Sequence, residues 1–142
     1  FILIIFFLDR VSKKEIINNF NESLYFINDY INFDLIWNIG IGFGFLSTDS
    51  SIVYSMVTLF IGFVILFLLY VFFSSEKIDK IIYSIIIGGA LGNYYDRLVY
   101  RAVPDFIDLH YNNFHWFTFN VADIFISIGI IAFIVKGFFV KN

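Results

Sequence analysis

Residues 52–73, IVYSMVTLFIGFVILFLLYVFF, run for 22 positions without a charged side chain. A helix of that length reaches about 33 Å, enough to cross the ~30 Å hydrocarbon core of a bilayer. The rest of the chain agrees with a membrane setting. Of its 142 residues, 60% are hydrophobic and 15% are charged, whereas a soluble domain carries about 25% charged residues.

Three further apolar segments are expected to span. Residues 1–8 are too short alone but continue through Ile16 and Ile17. Residues 81–91 begin a third helix, and residues 121–140 form a fourth. The fold class is therefore membrane α-helical, with four transmembrane helices in one domain, residues 1–142. The chain opens on Phe1 rather than Met, and the expectation is of an incomplete N-terminus. Between the helices, residues 30–38 partly alternate and are rich in β-formers, so they predict a strand or two. Gly40, Gly42 and Gly44 predict a flexible re-entry loop. Residues 100–104 read as a loop broken by Pro104. Residues 106–119 read as a short strand or hairpin at the water interface, where Trp116 and the tyrosines are at home.

Four spans place residues 18–51 and 92–120 on one side of the membrane, and residues 74–80 and the C-terminus on the other. Lys77, Lys80, Lys136 and Lys141 concentrate in the short segments of the second side, which is therefore cytoplasmic. The net charge of −3 leaves no basic field to hold nucleic acid. With no cysteine, disulfides, thiolate zinc sites and thiol nucleophiles are excluded.

Charge concentrates where it is expensive. Asp96, Arg97, Arg101, Asp105 and Asp123 lie within residues 88–123, between the third and fourth apolar segments. Ionisable groups at membrane depth are functional-site candidates by default. Each also has a structural reading. Asp9 and Lys13 are four apart on one helix face, as an interfacial ion pair at a helix end would be. Gly88 and Gly92 make a small-xxx-small face for close helix packing. Asn93, Asp96 and Arg97 share one side of the third helix, and Asp96 with Arg97 reads as a buried pair fixing helices three and four. Asn120 and Asp123 have the spacing of an N-cap and its N3 acid.

Asp105, placed in the expected loop against an apolar surface, has no evident capping role. Two aspartates converging in a partly desolvated site suit acid–base chemistry, because like charges a few Å apart share a proton. The start of the fourth helix favours Asp123 as the base. His110 and His115 raise a metal alternative with Asp105 or Asp108, but a spacing of five along one strand puts their rings on opposite faces, so hydrogen bonding is favoured.

These motifs, in order, resemble those of lipoprotein signal peptidase, the type II signal peptidase of bacteria. Leu8-Asp9 with Lys13 is similar to LD-x-x-x-K, and Asn38-x-Gly40-x-x-Phe43-Gly44 to N-x-G-x-A-F-G. GGALGN-x-x-DR at residues 88–97, V-x-DF at residues 103–106 and FN-x-AD at residues 119–123 complete the set. Gly42 replaces the family's small Ala, and Pro104 stands where Val is common. The resemblance covers nearly the whole chain. It implies a four-helix aspartyl endopeptidase with a small extracytoplasmic β-rich cradle, acting without metal or other cofactor.

The implied substrate is a prolipoprotein, cleaved just before its diacylglyceryl-modified cysteine. The implied setting is the bacterial cytoplasmic (inner) membrane, multi-pass, with the active site facing outward, in contact with membrane lipid and acting as a monomer. The catalytic pair falls on Asp105 and Asp123. Asn38, Asn93, Arg97 and Asn120 match residues that support the pair and hold the substrate backbone. Gly40 belongs to the same shell, Asp9 matches a supportive acid near the site, and Asp96 matches a structural position. The alternative of a different class is a non-enzymatic four-helix membrane protein, such as a small transporter or channel subunit. The internal repeat typical of transporters is not evident between the halves. A presenilin-like protease is set aside, because the chain has no Gly-x-Gly-Asp.

Overall fold

In the computed structural model the described residues are 1–20, 24–40 and 51–139. Four helices and four strands follow in the order α1 (Ile2–Asn19), β1 (Tyr25–Asn28), β2 (Ile31–Asn38), α2 (Ser51–Ser74), α3 (Lys77–Val99), β3 (Val103–Tyr111), β4 (Phe114–Phe119) and α4 (Val121–Phe139). The expected re-entry loop at Gly42 and Gly44, with Phe43, lies outside the described residues.

The helical layer is built around α3, which packs against α1, α2 and α4. Small residues let it do so. A Cβ on Gly88 would sit 2.8 Å from Ile5 Cβ, and one on Gly92 would collide with the Asp9 carboxylate, so the small-xxx-small face belongs to the α1 contact. A Cβ on Gly89 would lie 2.6 Å from the Ala122 carbonyl, where α4 starts. The outward surfaces are strongly apolar: Phe60, Phe63, Leu66, Phe67 and Phe73 of α2 and Ile131, Phe138 and Phe139 of α4 are exposed. Helices α2 and α4 are long and apolar enough to cross a membrane.

The sheet has strand order β1-β2-β3-β4, antiparallel throughout. Thus the two segments expected on one side of the membrane form one sheet, with β2 and β3 paired across the α2–α3 hairpin. At the β1–β2 turn the Asn28 side chain accepts the N–H groups of Tyr30 and Ile31, an Asx-turn. At the β3–β4 turn Asn112 takes the left-handed conformation, φ 51°, that asparagine tolerates.

One expectation is corrected. Pro104 and Asp105 are not in a loop but in β3, opposite Trp37 and Ile36. Proline is tolerated there because β4 pairs only with the Ile107–Tyr111 portion of β3. Among the described residues the Pro104 end has a strand neighbour, β2, on one side alone, the edge position in which a strand tolerates proline. A register irregularity between Phe33 and Ile36 accompanies it.

Candidate active site

Asp105 and Asp123 come together where the sheet meets the helix ends. Asp105 is carried on β3 and is 3% exposed. Asp123 lies in the first turn of α4. Asn120, fully buried immediately before α4, joins them. Its Nδ2 donates to Asp105 Oδ1 at 2.6 Å, its Oδ1 accepts the Asp123 N–H at 3.1 Å, and its own N–H donates to Asp123 Oδ2 at 3.1 Å. The last two bonds are the reciprocal capping box expected from the spacing. The cap and the carboxylate pair are therefore one structure, not competing roles for Asp123.

The other carboxylate oxygens are held in the same manner. Asn38 Nδ2 donates to Asp105 Oδ2 at 2.8 Å, and Asn93 Nδ2 donates to Asp123 Oδ1 at 2.8 Å. Each of the four oxygens thus accepts one N–H from neutral groups and retains capacity for another bond. Burial first, and then the negative charge of Asp123, push the Asp105 carboxyl up from 3.8 to about 6. The amides of Asn38 and Asn120 and the charge of Lys13 pull the other way.

Each asparagine is itself oriented. Asn38 Oδ1 accepts the Gly40 N–H at 2.8 Å, and Asn93 Oδ1 accepts from Lys13 Nζ at 2.8 Å. The Gly40 carbonyl accepts from Arg97 at 3.0 Å, and Arg97 also donates to the Asn93 carbonyl at 3.1 Å. The guanidinium thereby ties the end of β2 to α3. Asn38, Gly40, Asn93, Arg97 and Asn120 are thus linked to the two carboxylates by one run of hydrogen bonds.

Behind the shell lies a cluster of four charges. Asp9 is fully buried and Lys13 is 1% exposed, so the expected interfacial ion pair is instead an interior one. Lys13 Nζ lies 3.0 Å from Asp9 Oδ2 and 2.7 Å from Asp96 Oδ2. Arg10 places NH1 2.5 Å and NH2 2.8 Å from the two oxygens of Asp96, and NH2 2.9 Å from Asp9. Asp9 Oδ1 accepts the Ala122 N–H at 3.0 Å, so a carboxylate from α1 caps the positive end of α4.

One expectation fails here. Asp96 does not pair with Arg97 or fix α4; it pairs with Arg10 and Lys13 and fixes α1 to α3. Successive side chains on a helix diverge by about 100°, which sends these two to different neighbours. Arg10 is the second cation on Asp96, and its place beside Asp9 is the one mark it carries in the sequence.

The histidine expectation also changes. His110 and His115 lie on opposite strands of the β3–β4 hairpin, paired in register, with ring centroids 5.4 Å apart. The turn brings onto one face what a single strand would have separated. Asp108 Oδ2 lies 2.7 Å from His115 Nδ1 and 3.8 Å from His110 Nδ1. Among the described residues no three His, Asp or Glu side chains converge with metal-binding geometry. Beside Asp123 a cavity of about 290 Å³ is lined by Phe117, Phe119, Ile124, Ser127, Ile128 and Ile131.

Comparison with known proteins adds a family. Residues 1–139 match the family described as signal peptidase (SPase) II. The chain is similar to the lipoprotein signal peptidase of Pelagibacter ubique, at 44% identity covering 99% of this chain and 87% of that protein. It is similar to that of Thermodesulfovibrio yellowstonii at 40% identity, covering 96% and 90%. Among solved structures, a bacterial membrane enzyme determined by the in meso method at 2.3 Å superposes with a TM-score of 0.79 at 26% identity, covering 96% of this chain and 84% of that one.

Proposed function

The chain belongs to the signal peptidase II family, and from that premise we propose that it is a membrane aspartyl endopeptidase removing signal peptides from prolipoproteins. Its substrate is the prolipoprotein whose cysteine carries a diacylglyceryl group, cut just before that residue. The observation that carries the reading is the bridging of Asp105 and Asp123 by Asn120.

The chemistry follows from the pair. One carboxyl, assigned to Asp105, holds the shared proton; burial and the neighbouring charge support that assignment. Asp123 takes a proton from water as the water oxygen attacks the scissile carbonyl carbon. Asp105 gives its proton to the carbonyl oxygen, forming a neutral tetrahedral diol. Collapse breaks the C–N bond, returns a proton from the diol to Asp105, and moves the proton on Asp123 to the leaving amine. The oriented asparagines keep both carboxylates aimed through these transfers. No metal or other cofactor enters this scheme. The apolar cavity beside Asp123 suits an apolar substrate segment.

All four helices cross the membrane in this reading, as one domain with the sheet on the extracytoplasmic face of the bacterial inner membrane. Four of the charges that lower the hydropathy of α1 and α3 are turned inward: Asp9, Lys13, Asp96 and Arg97 are buried, while Lys14 and Glu15 in the last turns of α1 and Lys77 at the start of α3 are exposed. Leu3, Ile4, Phe7, Leu8 and Val11 of α1, and Ile78, Ile81 and Leu98 of α3, are exposed to the lipid side. The enzyme acts as a monomer, in contact with lipid.

The test is cleavage of a diacylglyceryl prolipoprotein by the protein in reconstituted vesicles. Asp105→Asn and Asp123→Asn each lower turnover by about 10³-fold or more, the upper range for an acid–base group, while both variants remain folded in the membrane. Activity retained in either variant, or lost from the wild type on adding a chelator, overturns the mechanism. Solute flux without peptidase activity would return the transporter alternative.

A further inference from the structure

Three asparagines aim their amino groups at the carboxylate pair, and an asparagine can do so only if its oxygen is held away. For Asn38 the holder is the Gly40 N–H, and for Asn120 it is the Asp123 N–H. Both holders are backbone groups set by the local fold. For Asn93 the holder is a side chain from another helix: Lys13 Nζ, on α1, 2.8 Å from Asn93 Oδ1. An ammonium has three donors and no acceptor. It therefore admits only the Oδ1 side of the amide, and Nδ2 is left to face Asp123 Oδ1 at 2.8 Å. The remaining two donors of Lys13 are directed at Asp9 and Asp96.

We propose that Lys13 is a positioning residue for the acid–base pair: it locks the Asn93 amide toward Asp123 and supplies the buried positive charge against which the pair carries its negative one. This rests on Asp105 and Asp123 being the catalytic pair. Lys13 is 1% exposed, so solvent does not screen its charge. Its charge opposes the burial that lifts Asp105. Among the described residues the other charged groups near the pair are Asp9 from α1 and Arg97 from α3, with Arg10 and Asp96 behind Lys13. From β2 the pair meets the neutral Asn38, and from β4 it meets Phe119 across the cavity. Asp108 lies three residues beyond Asp105, on the other face of β3.

The decisive variant separates orientation from charge balance. Arg10, Lys13, Asp9 and Asp96 sum to zero, so Lys13→Met alone leaves a buried excess of negative charge. Lys13→Met with Asp96→Asn restores the balance but leaves Asn93 Oδ1 without its donor. Each variant is assayed for prolipoprotein cleavage against pH, with Tm in detergent reporting the fold.

In the double variant, Tm stays near wild type, kcat falls about 10²-fold, KM stays within about threefold, and the acid limb of the kcat profile moves about one pH unit upward. Lys13→Arg, which also only donates and keeps the charge, leaves the acid limb in place. Wild-type kcat in the folded double variant overturns the proposal. So does a low kcat with an unmoved acid limb, which would mark a packing defect. Should the double variant not fold, Lys13→Arg decides: an acid limb displaced as far as in Lys13→Met overturns the proposal. Asp105→Asn and Asp123→Asn run alongside. If they stay active, the catalytic reading itself has failed; if they are dead while the Lys13 variants behave as wild type, only the role of Lys13 has.

Discussion

Two clusters of buried charge meet at Asn93, and they are built on opposite rules. On the α1 side, Asp9, Arg10, Lys13 and Asp96 join two anions to two cations through short contacts. On the sheet side, Asp105 and Asp123 are two anions whose four oxygens are held by neutral N–H groups. A charge paired with its opposite is compensated where it stands. A carboxylate held by amides beside another carboxylate keeps the freedom to exchange a proton. The first arrangement fixes helices; the second is suited to chemistry.

The largest expected effect comes from breaking the neutral cluster. Asp96→Ala leaves Arg10 and Lys13 facing only Asp9. Removing one partner of a buried pair costs about 3–5 kcal/mol. Thermal unfolding in detergent should show a large fall in Tm, and cleavage should decline with the folded fraction. A Tm within a degree or two of wild type would remove the distinction between the clusters.

The anionic pair should respond in the opposite direction. Asp105 rises from 3.8 when exposed to about 6 in the fold. A carboxyl raised on folding contributes stability that is full below pH 3.8 and is lost as pH climbs through about 6. The gap corresponds to roughly 3 kcal/mol at most. Asp105→Asn, which carries no charge at any pH, should therefore be more stable than wild type above pH 6, and the difference should shrink as pH falls toward 4. Measuring Tm of both proteins between pH 4 and 8 checks the sign. A variant less stable than wild type at pH 7 would mean that the ionised pair stabilises the fold.

Much of this site was legible in the sequence, for identifiable reasons. The Asn120–Asp123 capping box is a local pattern, so spacing alone disclosed it. Residues 52–73 read as an uninterrupted apolar helix, as α2 is, and Gly88 with Gly92 announced a close helix contact. What escaped was partnership between elements. Helical spacing put Asp96 on a polar face without saying that α1 supplies Arg10 and Lys13 there. Asp9 and Lys13 looked interfacial because their burial depends on α3 covering them. Residues 106–119 read as a strand or a hairpin, and only the hairpin brings His110 and His115 onto one face. Pro104 read as a breaker because its edge position in the sheet is invisible along the chain. The motif resemblance located Asp105 and Asp123, but not the alternation of donors that holds them.

A smaller effect probes the amide-held cluster itself. Asn38→Ala removes the N–H donated to Asp105 Oδ2. That bond favours the ionised form, so its loss should raise Asp105 further and, because Asp105 acts as the proton donor, move the alkaline limb of cleavage to higher pH. The cost to kcat should be about tenfold, the order of one hydrogen bond to a charged group. A profile unchanged in both height and alkaline limb would mean that Asn120 and Asn93 suffice.

The smallest expected effect belongs to an ion pair at the other end of the helices. Lys136, in the last turn of α4, places Nζ 2.6 Å from Asp79 in the first turn of α3. Its distance is shorter than either Lys13 contact of the interior cluster, 3.0 and 2.7 Å, but both side chains are about a quarter exposed, 25% and 23%. Water solvates each partner when the other is removed, so little is left uncompensated. Such pairs contribute up to about 1 kcal/mol. Lys136→Met should shift Tm only slightly and leave prolipoprotein cleavage unchanged. A fall in Tm matching that of Asp96→Ala would show that contact distance, rather than burial, governs what these ion pairs contribute.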